Sequence, residues 1–291
     1  MMLRMMTHKL QQLALLAALP LILASCGDDP RPRIAGGGGS NSPSVPEKDE
    51  PKGGSSSSSA KTLQEVKVSA GPEGAAPDAK ARVFGVVLYK GEAPERRPIT
   101  ISGGGCHPTD EELLSEKLVV VDGKVANAFV YIDKGLADGE FEVPDEPVVL
   151  NQVGCMYSPH VVALRVGQEL HVMNSDDTTH NVHSPTRNVN QPSGSKAQVV
   201  TYERSTIGDS YVCDIHPWMS AYVCAIDHPF FALTGPDGRF ELPELAPGKY
   251  RLTAWQEKCG RVRAEFTVPP GGTAEVSFQV SAGGSSGRNR R

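Results

Sequence analysis

Aromatic side chains make up only 6% of this chain of 291 residues, and no long apolar run compensates for them. The apolar stretch at 13–23 is broken by Pro20 and is short for a bilayer span. Positive charge gathers only at Arg288, Arg290 and Arg291. With a net charge of −5 and no basic stripe interleaved with aromatics, no nucleic-acid partner is expected. Neither His-Glu-x-x-His nor Gly-x4-Gly-Lys-Ser/Thr occurs, so metalloprotease and phosphate-loop chemistry have no motif to stand on. What the chain has instead is 30 glycines and 23 prolines, the punctuation of short strands and many turns. Its length allows about two domains.

Segments rich in β-branched residues at 83–89, 118–121, 128–132, 148–150, 161–166, 169–173, 198–202, 211–213 and 221–226 read as strands. At this density they predict an all-β fold, an antiparallel sandwich or a Greek-key barrel. Asp122-Gly123 is a hairpin signal between the second and third of them. The one helix expected lies over 109–117, with Thr109 as N-cap and an acidic first turn. After Asp227 the texture changes: 230–233, the turn Gly235-Pro-Asp-Gly238 and 239–242 read as a hairpin. Residues 26–78, with glycines at 36–39 and serines at 55–59, cannot bury enough apolar surface to offset ordering and read as a flexible linker. The tail 281–291 has the same low complexity and reads as disordered.

The most informative string is Cys213-Asp-Ile-His216-Pro-Trp218-Met219, because Cys-x2-His-x2-Met delivers three donor side chains on one short loop. A fourth donor, His180, stands upstream in the 174–183 segment and must close the site from elsewhere. One thiolate, two imidazoles and one thioether form the ligand set of a mononuclear blue-copper centre; sulfur favours Cu(I), and imidazole suits both oxidation states. His183 competes with His180 for the fourth place. On an extended strand their odd separation puts them on opposite faces, so only one can point at a metal.

The string 213–219 resembles the ligand loop of the cupredoxins, in particular the amicyanin- and plastocyanin-like members, and 180–183 resembles their first-ligand loop. The resemblance implies a Greek-key sandwich over 106–227 holding one type 1 copper at His180, Cys213, His216 and Met219. It favours His180 over His183, makes Met219 the weak axial ligand, and gives Asn181 the task of tying the two ligand loops together. It also implies that His216 is the more exposed ligand. Pro217 and Trp218 would then form an apolar rim where a redox partner protein docks, although ordinary core packing is an equal reading of Trp218. Asp176 and Asp177 are expected to stabilise the turn before His180. Four protein ligands leave no open position for a substrate, so catalysis is not expected.

Farther on, the pattern Thr-Gly-x-Asp-Gly-x-Phe-x-Leu and Leu-x-Pro-Gly-x-Tyr-x-Leu resembles the carboxypeptidase regulatory-like, transthyretin-like sandwich, assigned to 228–280. Residues 79–105 resemble the first strands of the same domain, so the cupredoxin-like region is expected to be inserted into it or to pack on it. At the N-terminus, the basic start, the apolar stretch and Leu23-Ala-Ser-Cys26 resemble the lipobox of bacterial lipoproteins. That resemblance implies a signal peptide at 1–25, lipid on Cys26, and a membrane-anchored protein facing the periplasm or cell exterior.

Such a compartment is oxidising. With Cys26 given to lipid and Cys213 to copper, four cysteines remain, and position alone pairs Cys106 with Cys155 and Cys224 with Cys259. The two other connectivities stay open, as does a metal site built from Cys106, His107, Cys155 and His160. His171 and His228 read as satisfied structural histidines. The functional expectation is single-electron transfer through copper. The alternatives are a copper-binding and delivery lipoprotein and a non-metal interaction module.

Overall fold

A computed structural model of the chain describes residues 64–103, 105–106 and 112–283. It is all-β, with no helix among the described residues. The chain first lays down β1 (Gln64–Ser69), β2 (Arg82–Tyr89), β3 (Val120–Val121), β4 (Lys124–Val125) and β5 (Phe129–Lys134). A second sandwich follows, built from β6 (Val148–Val153), β7 (Met156–Ser158), β8 (Val161–Arg165), β9 (Glu169–Asn174), β10 (His180–Ser184), β11 (Arg187–Gln191), β12 (Gln198–Thr201), β13 (Thr206–Val212) and β14 (Ser220–Ile226). The chain then returns to the first with β15 (Phe231–Leu233), β16 (Arg239–Glu241), β17 (Gly248–Gln256), β18 (Gly260–Val268) and β19 (Thr273–Val280).

The first, or outer, sandwich stacks the sheet β1-β19-β2-β4-β3, with β16 also on β2, against β15-β5-β17-β18. Its strands alternate as a half-buried sheet requires: β19 buries Ala274, Val276, Phe278 and Val280 and turns Glu275 and Gln279 outward. The inner sandwich faces β11-β10-β13-β14-β8 with β12-β9-β6-β7. Its parallel pairs β6/β9 and β8/β14 require crossover connections. Each sandwich has its own apolar core. A third cluster joins them: Phe129 and Tyr131 of β5 and Trp255 of β17 pack against Val161 of β8 and Cys224 and Ile226 of β14.

The inner sandwich is thus inserted into the outer one, between β5 and β15, and packs on it as well. Several expectations require correction. Strands β3 to β5 fall inside 106–227 yet pair with outer strands, because their apolar residues complete the outer core. The region read as linker contributes β1, which pairs along its length with β19; the remainder up to residue 63 lies outside the described residues. The part of the expected helix that is described, 112–117, is extended: Leu114 bridges Pro98, and Ser115 N–H donates to Arg97 O at 2.8 Å. Pairing with a distant segment has overridden a local preference that had only two apolar anchors.

Asp122-Gly123 does turn a hairpin, with both residues at positive φ as a type I′ turn demands, but it joins β3 to β4 and not to the strand after them. The hairpin expected over 230–242 is absent. β15 pairs with β5 and β16 with β2, so the turn at 235–238 carries the chain from one sheet to the other. Of the tail, only 281–283 are described, and Gly283 N–H reaches Lys258 O.

The Cys224–Cys259 disulfide is likewise not formed: both thiols are free and buried. Cys224 belongs to the cluster between the sandwiches and Cys259 to the outer core, so each packs as a small apolar side chain. Burial pushes the Cys224 thiol up to about 12 and the Cys259 thiol up to about 11, which keeps both protonated and unreactive. Cys106 and Cys155 are disulfide-bonded.

Candidate metal centre

Two neighbouring strands bring the donors together. β10 opens with His180 and lies beside β13, whose last residue, Val212, is paired with His183. Cys213 follows directly, so the 213–219 loop leaves β13 alongside β10. The loop 213–219 then closes on itself: Met219 N–H donates to His216 O at 2.9 Å, and Cys213 N–H to Met219 O at 3.3 Å. Donor atoms of His180, Cys213 and His216 all lie within 4.8 Å of one another, and all three residues are buried. The two Nδ1 atoms are 2.8 Å apart, and Cys213 Sγ is 3.6 Å from His216 Nδ1. Met219 is fully buried in the inner core.

Asn181 ties the loops. Its backbone N–H donates to Cys213 Sγ at 3.2 Å, and its side-chain oxygen accepts from Asp214 N–H at 3.3 Å. Its amide nitrogen donates to Asn188 and Asn190 on β11. Burial alone would raise the Cys213 thiol, but hydrogen bonds from His180 and from the backbone N–H groups of Asn181, His216 and Ile215 hold it below its ordinary value. A sulfur so placed is prepared to be a thiolate.

His180 is oriented from behind. Its Nε2 is 2.8 Å from Asp176 Oδ2. A carboxylate oxygen accepts there, so Nε2 carries a proton and Nδ1 is the nitrogen left to meet the centre. Burial works against a charged His180, yet the contacts with Cys213 and Asp176 outweigh it and raise its pKa. Asp176 is fixed in turn by Gly154 N–H at 2.7 Å and Cys155 N–H at 2.9 Å. The sequence reading gave Asp176 only a turn to stabilise. The i, i+4 spacing to His180 was the available signal, but it pointed to a helix that does not exist here.

No protein-family model matches the chain, and no curated protein matches it. Among solved structures it is similar to a copper-containing nitrite reductase from Thermus scotoductus SA-01, at 20% identity and a TM-score of 0.25 over 32% of this chain. It spans only 25% of that protein's length. It is also similar to a purple cupredoxin from Nitrosopumilus maritimus, at 20% identity and a TM-score of 0.25 over 27% of this chain and 98% of that one. Amicyanin from Paracoccus versutus gives 20% identity and a TM-score of 0.25 over 33% of this chain and 96% of that one.

Those donors fit a metal. Two imidazole nitrogens 2.8 Å apart, with a polarised sulfur beside them in a water-poor site, need a proton or a cation between them. The set is two nitrogens and one soft sulfur, with a buried thioether on the same loop, which suits copper in either oxidation state.

The exposure expected of His216 is overturned: it is fully buried, as is His180. Trp218 lies against it with ring centroids 5.2 Å apart, and the indole N–H donates to Cys155 O at 2.9 Å, which holds the ring in place. Trp218 is therefore a packed cover, while Pro217 and Ile215 are exposed. His183 points outward, 2.8 Å from Asp214, as its opposite face requires. His171 bonds Glu169 at the surface, and His160 bonds Ser220 O, away from the disulfide. Cys26 and His107 lie outside the described residues.

Proposed function

We propose that this protein is a blue-copper electron carrier that holds one copper ion at His180, Cys213 and His216, with Met219 as the weak axial ligand. The observation that carries the reading is the convergence of three buried donors within 4.8 Å at the junction of β10, β13 and the 213–219 loop. Copper bound there supplies a one-electron couple. The residues supply the rest: Asn181 and the loop's own hydrogen bonds fix the sulfur, and Asp176 fixes the imidazole. Burial of all three donors limits rearrangement as charge changes. The same burial favours electron transfer over copper delivery, since delivery calls for an exchangeable site. Four protein ligands argue against catalysis at this centre.

On this reading the protein is exported and lipid-anchored through Cys26, and the outer sandwich, transthyretin-like in its turn and core residues, is the platform on which the centre is mounted. With His216 closed off, partner docking falls on the exposed Ile215 and Pro217 and on an adjoining groove of about 620 Å³. Trp218, Arg96, Arg97, Lys117 and Lys258 line that groove against a single acid, Glu95, a net positive charge that suits an acidic redox partner protein.

The test is to express residues 64–283, add Cu(II), and record visible and electron paramagnetic resonance spectra beside Cys213→Ser. Intense visible absorption with narrow copper hyperfine splitting, lost in the variant, is the expected result. A wild type that takes up no copper would sink the reading; a pale, ordinary Cu(II) spectrum would favour copper handling.

A further inference from the structure

Cys155 touches the supports of both histidines. Its N–H donates to Asp176 Oδ2, which orients His180, and its C=O accepts from Trp218, which covers His216. It sits at positive φ (57°) in the tight β6–β7 turn, and its sulfur is bonded to Cys106. Gly105, beside Cys106, lies so close to Thr178 of the His180 loop that an added Cβ would meet the Thr178 hydroxyl. The disulfide therefore rests directly on the back of the His180 loop. Moreover, Cys155 Sγ, an Asp176 carboxylate oxygen and a ring nitrogen of His180 all lie within 4.8 Å of one another. The nitrogen that faces Asp176 is Nε2, and the other, Nδ1, faces His216.

We propose that the Cys106–Cys155 disulfide masks a second site for a soft monovalent cation of the Cu(I) class, formed by Cys155, Asp176 and His180 Nε2 and opened by a dithiol. This extends the copper reading, taking its metal from that reading but its donor atoms from a different cluster. In the closed state the sulfur is spent in the S–S bond and Nε2 donates to Asp176, so no lone pair is offered. A dithiol changes this. Its first thiolate attacks one protein sulfur and breaks the S–S bond, and its second closes the dithiol's own disulfide. Two electrons pass to the protein, and Cys106 and Cys155 each take up a proton.

Cys155 can then surrender its proton to solvent and bind as a thiolate, the ligand a soft cation prefers. Metal–sulfur and metal–nitrogen bonds of about 2.3 and 2.0 Å span about 4.3 Å when opposed, which the cluster accommodates. For Nε2 to bind metal, the imidazole proton must move to Nδ1, and Nδ1 is the atom that meets His216 in the buried centre. The two sites share one imidazole and exclude each other, so reduction draws metal from the buried centre toward the turn. Both cysteines are 6% exposed, beneath exposed Gly105 and Gly154, so a small dithiol has a short way in.

The experiment uses the Cys213→Ser chain, which lacks the first centre's thiolate, so its outcome does not depend on whether blue copper forms. Cu(I) is titrated against a chromophoric Cu(I) chelator before and after dithiol treatment and removal of excess dithiol. The expected result is one additional tightly held Cu(I) per chain after reduction, absent when Cys155→Ser is added. Adding Cys106→Ser instead should yield the site without any reductant, which removes access to the disulfide as a variable. Circular dichroism of each variant checks the fold. Equal Cu(I) binding in oxidised and reduced chains, together with no gain from Cys106→Ser, would overturn the proposal. So would a gain that survives Cys155→Ser, since it would belong to other donors.

Discussion

The two sandwiches share an architecture and differ in what they bury. The outer one closes over aliphatic and aromatic side chains, among them Val83, Leu252, Phe266 and Phe278. The inner one has a similar apolar body but buries polar groups around the candidate centre: Gln152 bonds Gln191 at 2.7 Å, Asn174 bonds Gln191 O, and His180, Asn181 and His216 are almost wholly removed from water. An apolar core needs only volume and pattern. A buried polar network must satisfy each donor and acceptor, and here the network holds the loops in one arrangement. The comparison teaches that the candidate centre sits where buried polar side chains cluster, whereas the outer sandwich buries only scattered ones, among them Thr234, Thr253 and Gln256.

The strongest challenge to this division comes from Cys213→Ser, which should abolish the intense visible absorption entirely while leaving the far-ultraviolet circular dichroism of both sandwiches unchanged. Next is Leu252→Ala in the outer core. Removing a fully buried leucine should cost about 2–5 kcal/mol in urea unfolding. Because Phe129, Cys224 and Trp255 fuse the two cores, the loss should appear in the inner sandwich as well. If the intrinsic probes of the two sandwiches unfold at separate midpoints, the junction is weaker than its packing indicates.

Asp176→Asn sharpens the comparison on the polar side. The amide can still accept from His180 Nε2 but no longer carries charge, so copper affinity should fall by about 10–100-fold and the reduction potential should rise, since a nearby anion stabilises Cu(II). Competition with a chelator and a redox titration would measure both. An unchanged potential would mean that the carboxylate only shapes the turn.

The smallest expected effect concerns His228, at the crossing between the sandwiches. Its Nε2–H donates to Ile132 O at 2.8 Å and its Nδ1 accepts from Phe230 N–H at 3.2 Å, so the neutral ring is fully bonded. Burial, with nearby Arg165, lowers its pKa against the opposing pull of the Ile132 bond and Asp227. The unfolded chain then binds a proton first. Stability is present in full above the unfolded value of about 6.5 and is lost as pH falls below it, by at most about 1.4 kcal/mol per pH unit. Urea midpoints at pH 8 and pH 5.5 should differ less in His228→Gln than in wild type.

Legibility followed the range of the interactions involved. The strand segments were readable because alternation is local, and the candidate donor loop because Cys213, His216 and Met219 lie within seven residues of chain. The extended path of 112–117 was not readable, since its partner is the distant Pro98. Nor was the split of β15 and β16 between two sheets, because a turn signal says that the chain reverses but not which neighbour it meets. The sequence reading of Cys224 and Cys259 failed for the same reason: counting cysteines says nothing of which core each one enters.

By itself, then, the sequence determined the all-β character and pointed to His180, Cys213 and His216 as one group, because both depend on residue type and short spacing. Only the tertiary structure decided that His216 is closed off by Trp218, that Asp176 stands behind His180, and that the disulfide lies against the same loop. Those relations join residues from β6–β7, β9–β10 and β13–β14, and no local pattern encodes which turns of a folded sandwich come to share one end.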